Sequence, residues 1–108
     1  MPLYMSQFAY TPEAWANLTR NPQDRTEAIA ELAKKVGGRL VSLYYSFGEH
    51  DGIVLSDVPD DTSAAALAIA AAAAGHVRSI KTTRLFTAQE AVAAMKKAGG
   101  AALKPPSA

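Results

Sequence analysis

Tyr44-Tyr45-Ser46-Phe47-Gly48-Glu49-His50-Asp51-Gly52-Ile53-Val54-Leu55 is the stretch whose reading decides the fold. Apolar residues alternate from Arg39 to Phe47, and a return run extends from Gly52 to Val58. Between them Gly48 to Asp51 carries the residue types that turn a chain, so two antiparallel strands joined as a hairpin are expected. In the first of these strands Val41, Leu43, Tyr45 and Phe47 make an apolar face, and Leu40, Ser42, Tyr44 and Ser46 a mixed one.

On the N-terminal side, Leu3 to Tyr10 has strand composition, with Tyr4, Phe8 and Tyr10 on one face and Leu3, Met5, Gln7 and Ala9 on the other. Apolar residues on both faces predict a strand covered from both sides. Thr11-Pro12-Glu13 opens a short helix through Trp15 and Leu18. Asn21-Pro22 breaks it, and a second helix is expected to restart from Asn21 with Asp24 in its first turn. Ile29, Leu32, Ala33 and Val36 give that helix an apolar face, and Gly37-Gly38 ends it.

On the C-terminal side, Pro59-Asp60-Asp61 opens an alanine helix, interrupted by Leu67 and Ile69 and closed at Gly75. Small side chains predict close packing of this helix on a sheet. The apolar run from Ala64 to Ala74 is too short to span a bilayer. His76 to Phe86 alternates as a fourth strand. Thr87-Ala88-Gln89-Glu90 is a capping box, so a last helix starts there and is expected to turn Val92 and Met95 inward.

The order strand, helix, strand, strand, helix, strand, terminal helix predicts an α+β, ferredoxin-like βαββαβ fold. Four antiparallel strands carry helices on one face. The other face calls for solvent or a second molecule, and the apolar residues on it predict a homodimer through the open sheet face. Residues 1–98 make the domain and 99–108, with Pro105-Pro106, a flexible tail.

Composition narrows the function classes. The chain has 108 residues, enough for one core without disulfides, and no cysteine, which excludes thiolate ligands and a cysteine nucleophile. A net charge of +1 with mixed signs argues against a nucleic-acid partner. No long apolar run precedes the first polar residues, so neither a signal peptide nor a membrane partner is expected and the location is expected to be cytoplasmic.

The pieces Gly37-Gly38, Tyr44, Gly48-Glu49-His50-Asp51, Pro59-Asp60-Asp61 followed by alanines, Gly75-His76-Val77-Arg78, and Phe86-Thr87 with Glu90 occur in one specific order. In that order and spacing the chain resembles the GYD-domain family over about Leu3 to Met95. The resemblance implies kinship with dimeric α/β-barrel proteins, hence a homodimer, and no assigned reaction. His50 departs from the pattern, standing where that family carries tyrosine.

Candidate sites are few. His50, between Glu49 and Asp51, suits a general base or a pH-sensitive group, or else it sits in a solvated turn held by Gly48 and Asp51. Tyr44, flanked on its strand face by Ser42 and Ser46, suits a pocket against a partner or a tyrosine at a dimer seam. Arg78 and Arg84, with His76 on the same side of the last strand, could bind a carboxylate or phosphate or pair with neighbouring acids. The two histidines are separated by a helix, without metal-ligand spacing, and no phosphate loop or dinucleotide fingerprint is present, so no metal or cofactor is expected. The expected function is a small-molecule-binding or structural module. The alternative is a cofactor-independent, monooxygenase-like enzyme for a small apolar or aromatic substrate, by analogy with enzymes built on such barrels.

Overall fold

A computed structural model of the protein describes residues 1–107. Its elements run β1 (Leu3–Tyr10), α1 (Pro12–Arg20), α2 (Thr26–Lys35), β2 (Arg39–Tyr45), β3 (Gly52–Asp57), α3 (Asp61–Ala73), β4 (Val77–Leu85) and α4 (Ala88–Gly99). The strands form one antiparallel sheet in the order β2-β3-β1-β4. This is the ferredoxin-like arrangement, with β1 and β3 central and the hairpin strand β2 at one edge.

The core lies on one face of that sheet. Tyr4, Phe8 and Tyr10 of β1 and Val54 of β3 are buried there, with Ala14 of α1, Ala33 of α2, and Ala64 and Leu67 of α3. Strand alternation places these β residues on one side, and helix periodicity turns each helix's apolar stripe towards them. Gly52 is needed at the start of β3 because a Cβ there would lie 2.3 Å from the Phe8 ring.

Two bulges change the faces expected from strict alternation. β2 skips Val41 in its pairing with β3, so Leu40 opposes Ser56 while Ser42 opposes Leu55 and Leu43 opposes Val54. The extra residue puts Leu40, Leu43 and Tyr45 on the core side and leaves Val41 44% exposed. Phe47 lies beyond the strand and is fully exposed. β4 skips Arg78, because Ala9 opposes Ser79 and Tyr10 opposes Val77. Arg78 and Arg84 therefore do not share a regular strand face.

The helices also depart from expectation in three places. α1 ends at Arg20 and α2 starts only at Thr26, with residues 21–25 between them non-helical. Asp24 uses its carboxylate on the Thr26 N–H (2.9 Å) and hydroxyl (2.6 Å) instead of sitting inside a helical turn. α3 buries Ala64 and Leu67, more than any other helix, but Ile69 is 67% exposed, so the alanine helix is not wholly buried. In α4 no residue is buried, and Val92 and Met95 point outward at 46% and 66% exposure. That helix follows an edge strand and finds no second layer among the described residues. The result is an elongated shape, 60 × 35 × 22 Å with a radius of gyration of 17.7 Å, against about 13 Å for a compact chain of this length.

The caps of α3 and α4 carry a pH dependence. Asp60 accepts the Ser63 N–H at 2.8 Å, and Glu90 accepts the Thr87 N–H at 2.9 Å while Thr87 Oγ1 takes the Glu90 N–H. These backbone bonds hold both carboxyls below their ordinary values of 3.8 and 4.5. A depressed folded pKa stabilises above the ordinary value and is lost as pH falls through the folded one. After correction for intrinsic exchange, amides in the first turns of α3 and α4 should keep their protection down to about pH 5 and lose it as pH falls below about 4, while those of β1 keep theirs. Equal loss in all three would contradict the assignment.

Candidate functional site

The site grows out of the side-chain sizes on α3. Ala70, Ala71 and Ala74 face the sheet with methyl groups only, and these do not reach the side chains opposite. The space left is a cavity of about 360 Å³ between the sheet and the helices α1, α2 and α3. Phe8, Val54 and Ile80 floor it from the sheet, and Leu18, Ile29 and Leu67 wall it from the helices. A mainly apolar concavity of this size is within the range that takes small ligands.

Its polar groups are few. Ser6 Oγ, in the floor, shares a hydrogen bond of 3.1 Å with Thr82 Oγ1. Tyr10, also lining the cavity, shares one of 2.9 Å with the Tyr45 hydroxyl. Burial pushes the Tyr10 phenol well above its ordinary value, and the Tyr45 hydrogen bond adds to the shift. Tyr10 thus stays protonated at neutral pH and acts as a hydrogen-bonding hydroxyl. Asn17, Gln23, Arg25 and His76 complete the lining, and of these only Arg25 is even half-buried, so they form the rim.

The hairpin supports this site from outside. Asp51 Oδ2 accepts the Tyr10 N–H at 2.8 Å and the Trp15 indole N–H at 3.2 Å. Its own N–H donates to the Phe8 carbonyl at 2.7 Å, and its carbonyl accepts the Ser46 N–H at 2.9 Å. Three of these hydrogen bonds tie the turn to β1 and α1, and the fourth closes the turn on itself. Trp15, Tyr10, Phe8 and Tyr45 then pack edge-on or tilted, with centroids 5.1–6.5 Å apart.

The residues singled out from sequence lie apart from one another. Tyr44 is on the opposite sheet face, paired with Ile53 and 63% exposed. His50 is half-buried in the turn, with its carbonyl accepting the Ser46 hydroxyl at 2.9 Å, and its side chain does not line the cavity. Gly48 takes a positive φ of 135° in the same turn. Arg78 is exposed at the β4 bulge. Arg84 lies at the other end of the sheet, 3.5 Å from Glu90, with its guanidinium 4.6 Å from the Phe86 ring centroid and 5.8 Å from that of Tyr4. The Tyr4 hydroxyl there donates to Asp61. His76 alone of the residues weighed from sequence reaches the cavity.

Tyr10 and Arg25, which line the cavity, and Tyr45, which bonds to Tyr10, are not legible as such in the sequence. Alternation assigns Tyr10 and Tyr45 to apolar faces, where they do lie, and only the fold brings their hydroxyls together. Arg25 has one signal, its place in the loop that Asn21-Pro22 forces between two helices. No group of three or more metal-ligating side chains occurs among the described residues. Nor is any helix among them long and apolar enough to cross a membrane.

A family model described as the GYD domain matches residues 4–95. No curated protein matches the chain. Among solved structures, the chain is similar to TTHA0845 from Thermus thermophilus, with a TM-score of 0.53 and 15% identity over 82% of this chain and 96% of that one. It is also similar to an uncharacterized NIPSNAP domain protein from Burkholderia xenovorans (TM-score 0.47, 17% identity, 82% and 95% covered). A third is PA3566 from Pseudomonas aeruginosa (TM-score 0.49, 14% identity, 80% and 93% covered). At such identities the likeness is one of fold.

Proposed function

The chain belongs to the GYD-domain family, and from that premise we propose that it is a homodimeric small-molecule-binding protein whose ligand enters the cavity between sheet and helices. The observation that carries this reading is the apolar cavity of about 360 Å³ with the Tyr10 phenol at its wall, held from outside by the Tyr45 hydroxyl. A merely structural domain gains nothing from leaving that volume empty, since unfilled apolar space costs packing energy. The raised phenol of Tyr10 favours orienting a ligand over abstracting a proton. That ranks binding ahead of cofactor-independent catalysis.

The homodimer rests on the other sheet face. Leu3 and Met5 of β1, Ile53 and Leu55 of β3, and Tyr44 of β2 all point there, half-buried or exposed. Antiparallel sheets tolerate one wet face, but that face is then usually polar. A second copy laid on this surface would bury it and give Tyr44 a place at the seam.

Two expected results test the two parts. Ala71→Phe should fill the cavity and weaken binding of an apolar probe such as 4-phenylbutanol at least tenfold without unfolding the chain. Unchanged binding in that variant would remove the cavity from the account. Ile53→Lys should shift sedimentation from dimer to monomer, since a lysine there would bury a charge at the seam. A wild-type chain that sediments as a monomer at micromolar concentration would contradict the dimer.

A further inference from the structure

We infer that the cavity is selective for organic anions, namely a carboxylate on an apolar body of roughly a dozen heavy atoms, with Arg25 holding the carboxylate. This rests on the cavity being a binding site and adds the class of ligand. The size follows from the volume, about 360 Å³, at about 30 Å³ for each water-sized group.

The charge follows from the lining. Among the lining residues Arg25 is the one formal charge, His76 is the one histidine, and there is no carboxylate. Arg25 forms no ion pair among the described residues, since the two salt bridges are Arg39 with Asp57 and Arg84 with Glu90. Its side-chain bond is to a neutral acceptor, with Nη1 donating to Gln23 Oε1 at 3.1 Å.

The nearby acids are committed elsewhere. Asp24 is taken up by Thr26, and Asp51 by the Tyr10 N–H and the Trp15 indole on the far side of Tyr10. Arg25 and Tyr10 both line the cavity, and the positive charge of Arg25 acts on the Tyr10 phenol against the effect of burial. The Arg25 guanidinium stands at the rim of an apolar cavity with a neutral amide oxygen as its side-chain partner, and a carboxylate offers it two parallel charge-assisted bonds. The Tyr10 hydroxyl, which shares a hydrogen bond with that of Tyr45, belongs to the same lining. An ammonium group would meet only repulsion, and an alcohol would leave the charge unpaired.

The side chain of Arg25 makes no cap bond at the start of α2, so replacing it leaves the helix start intact. The test is calorimetric titration of the wild-type chain, Arg25→Gln and Arg25→Lys with 4-phenylbutyrate, 4-phenylbutanol and 4-phenylbutylamine. In the wild type the carboxylate should bind about tenfold or more tighter than the alcohol, with the amine weakest. Arg25→Gln should bring carboxylate and alcohol to equal affinity, and Arg25→Lys should keep part of the preference. Equal affinities in the wild type, or an undiminished preference in Arg25→Gln, would overturn the anion assignment while leaving the cavity as a binding site. Failure of all three probes to bind would overturn the binding reading itself, and this inference with it.

Discussion

Gly38→Ala is expected to lower the unfolding free energy by about 3 kcal/mol. A Cβ at Gly38 would lie 2.3 Å from the Asp57 carbonyl oxygen and 2.5 Å from Val58 Cγ1. The first is backbone of β3, and the second belongs to a fully buried side chain, so neither can step aside. The entry of β2 would have to move away from β3, and with it the edge that carries Leu40 and Leu43 into the core. Gly37, its neighbour, is glycine for another reason. It holds a φ of 86°, and a Cβ there would make only an ordinary contact of 3.5 Å with Pro59. Gly37→Ala should therefore cost about 1–2 kcal/mol, the strain of a left-handed backbone. Urea denaturation of both variants measures the pair, and an alanine at position 38 no worse than one at 37 would contradict the close approach.

Asp51→Ala is expected to cost about 2–3 kcal/mol and to shift the fluorescence of Trp15. The substitution strips the acceptor from the N–H of a buried strand residue, Tyr10, and from the indole N–H together. Bonds to a charged acceptor are worth more than neutral ones, and a donor left unmet in partial burial adds its own penalty. Asp51→Asn keeps an acceptor oxygen and should cost about 1 kcal/mol. Denaturation followed by tryptophan fluorescence reports both losses. Two variants equal to wild type would mean that the turn holds itself without β1 and α1.

The hairpin explains why the fold is legible in the sequence and the site is not. Period-two alternation, an acid-rich turn and a capping box are local signals, and from them the order of elements follows. The bulges at Val41 and Arg78 leave no such mark. Each inserts one residue, so Leu40 joins the core face and Arg78 leaves the face of Arg84. The cavity is hidden for a related reason. A run of alanines says that a helix can approach a sheet closely, and it says equally that nothing will fill the gap if Leu67, Ile29 and Leu18 hold the layers apart. Only the assembled layers decide between the two. The eye-catching residues Tyr44 and His50 prove to be sequence neighbours of the ones that hold Tyr10. Tyr45 meets Tyr10, and Asp51 positions Tyr10 from behind.

The central claim is that ligand goes between sheet and helices, and residue-resolved amide NMR during titration with 4-phenylbutyrate tests it most directly. The account predicts saturable shifts clustered on Ser6, Tyr10, Arg25, Ile29, Leu67 and Val77, residues far apart in sequence that share the cavity wall. Shifts confined to the opposite face around Tyr44 and Ile53, or no saturable shift at all, would contradict it.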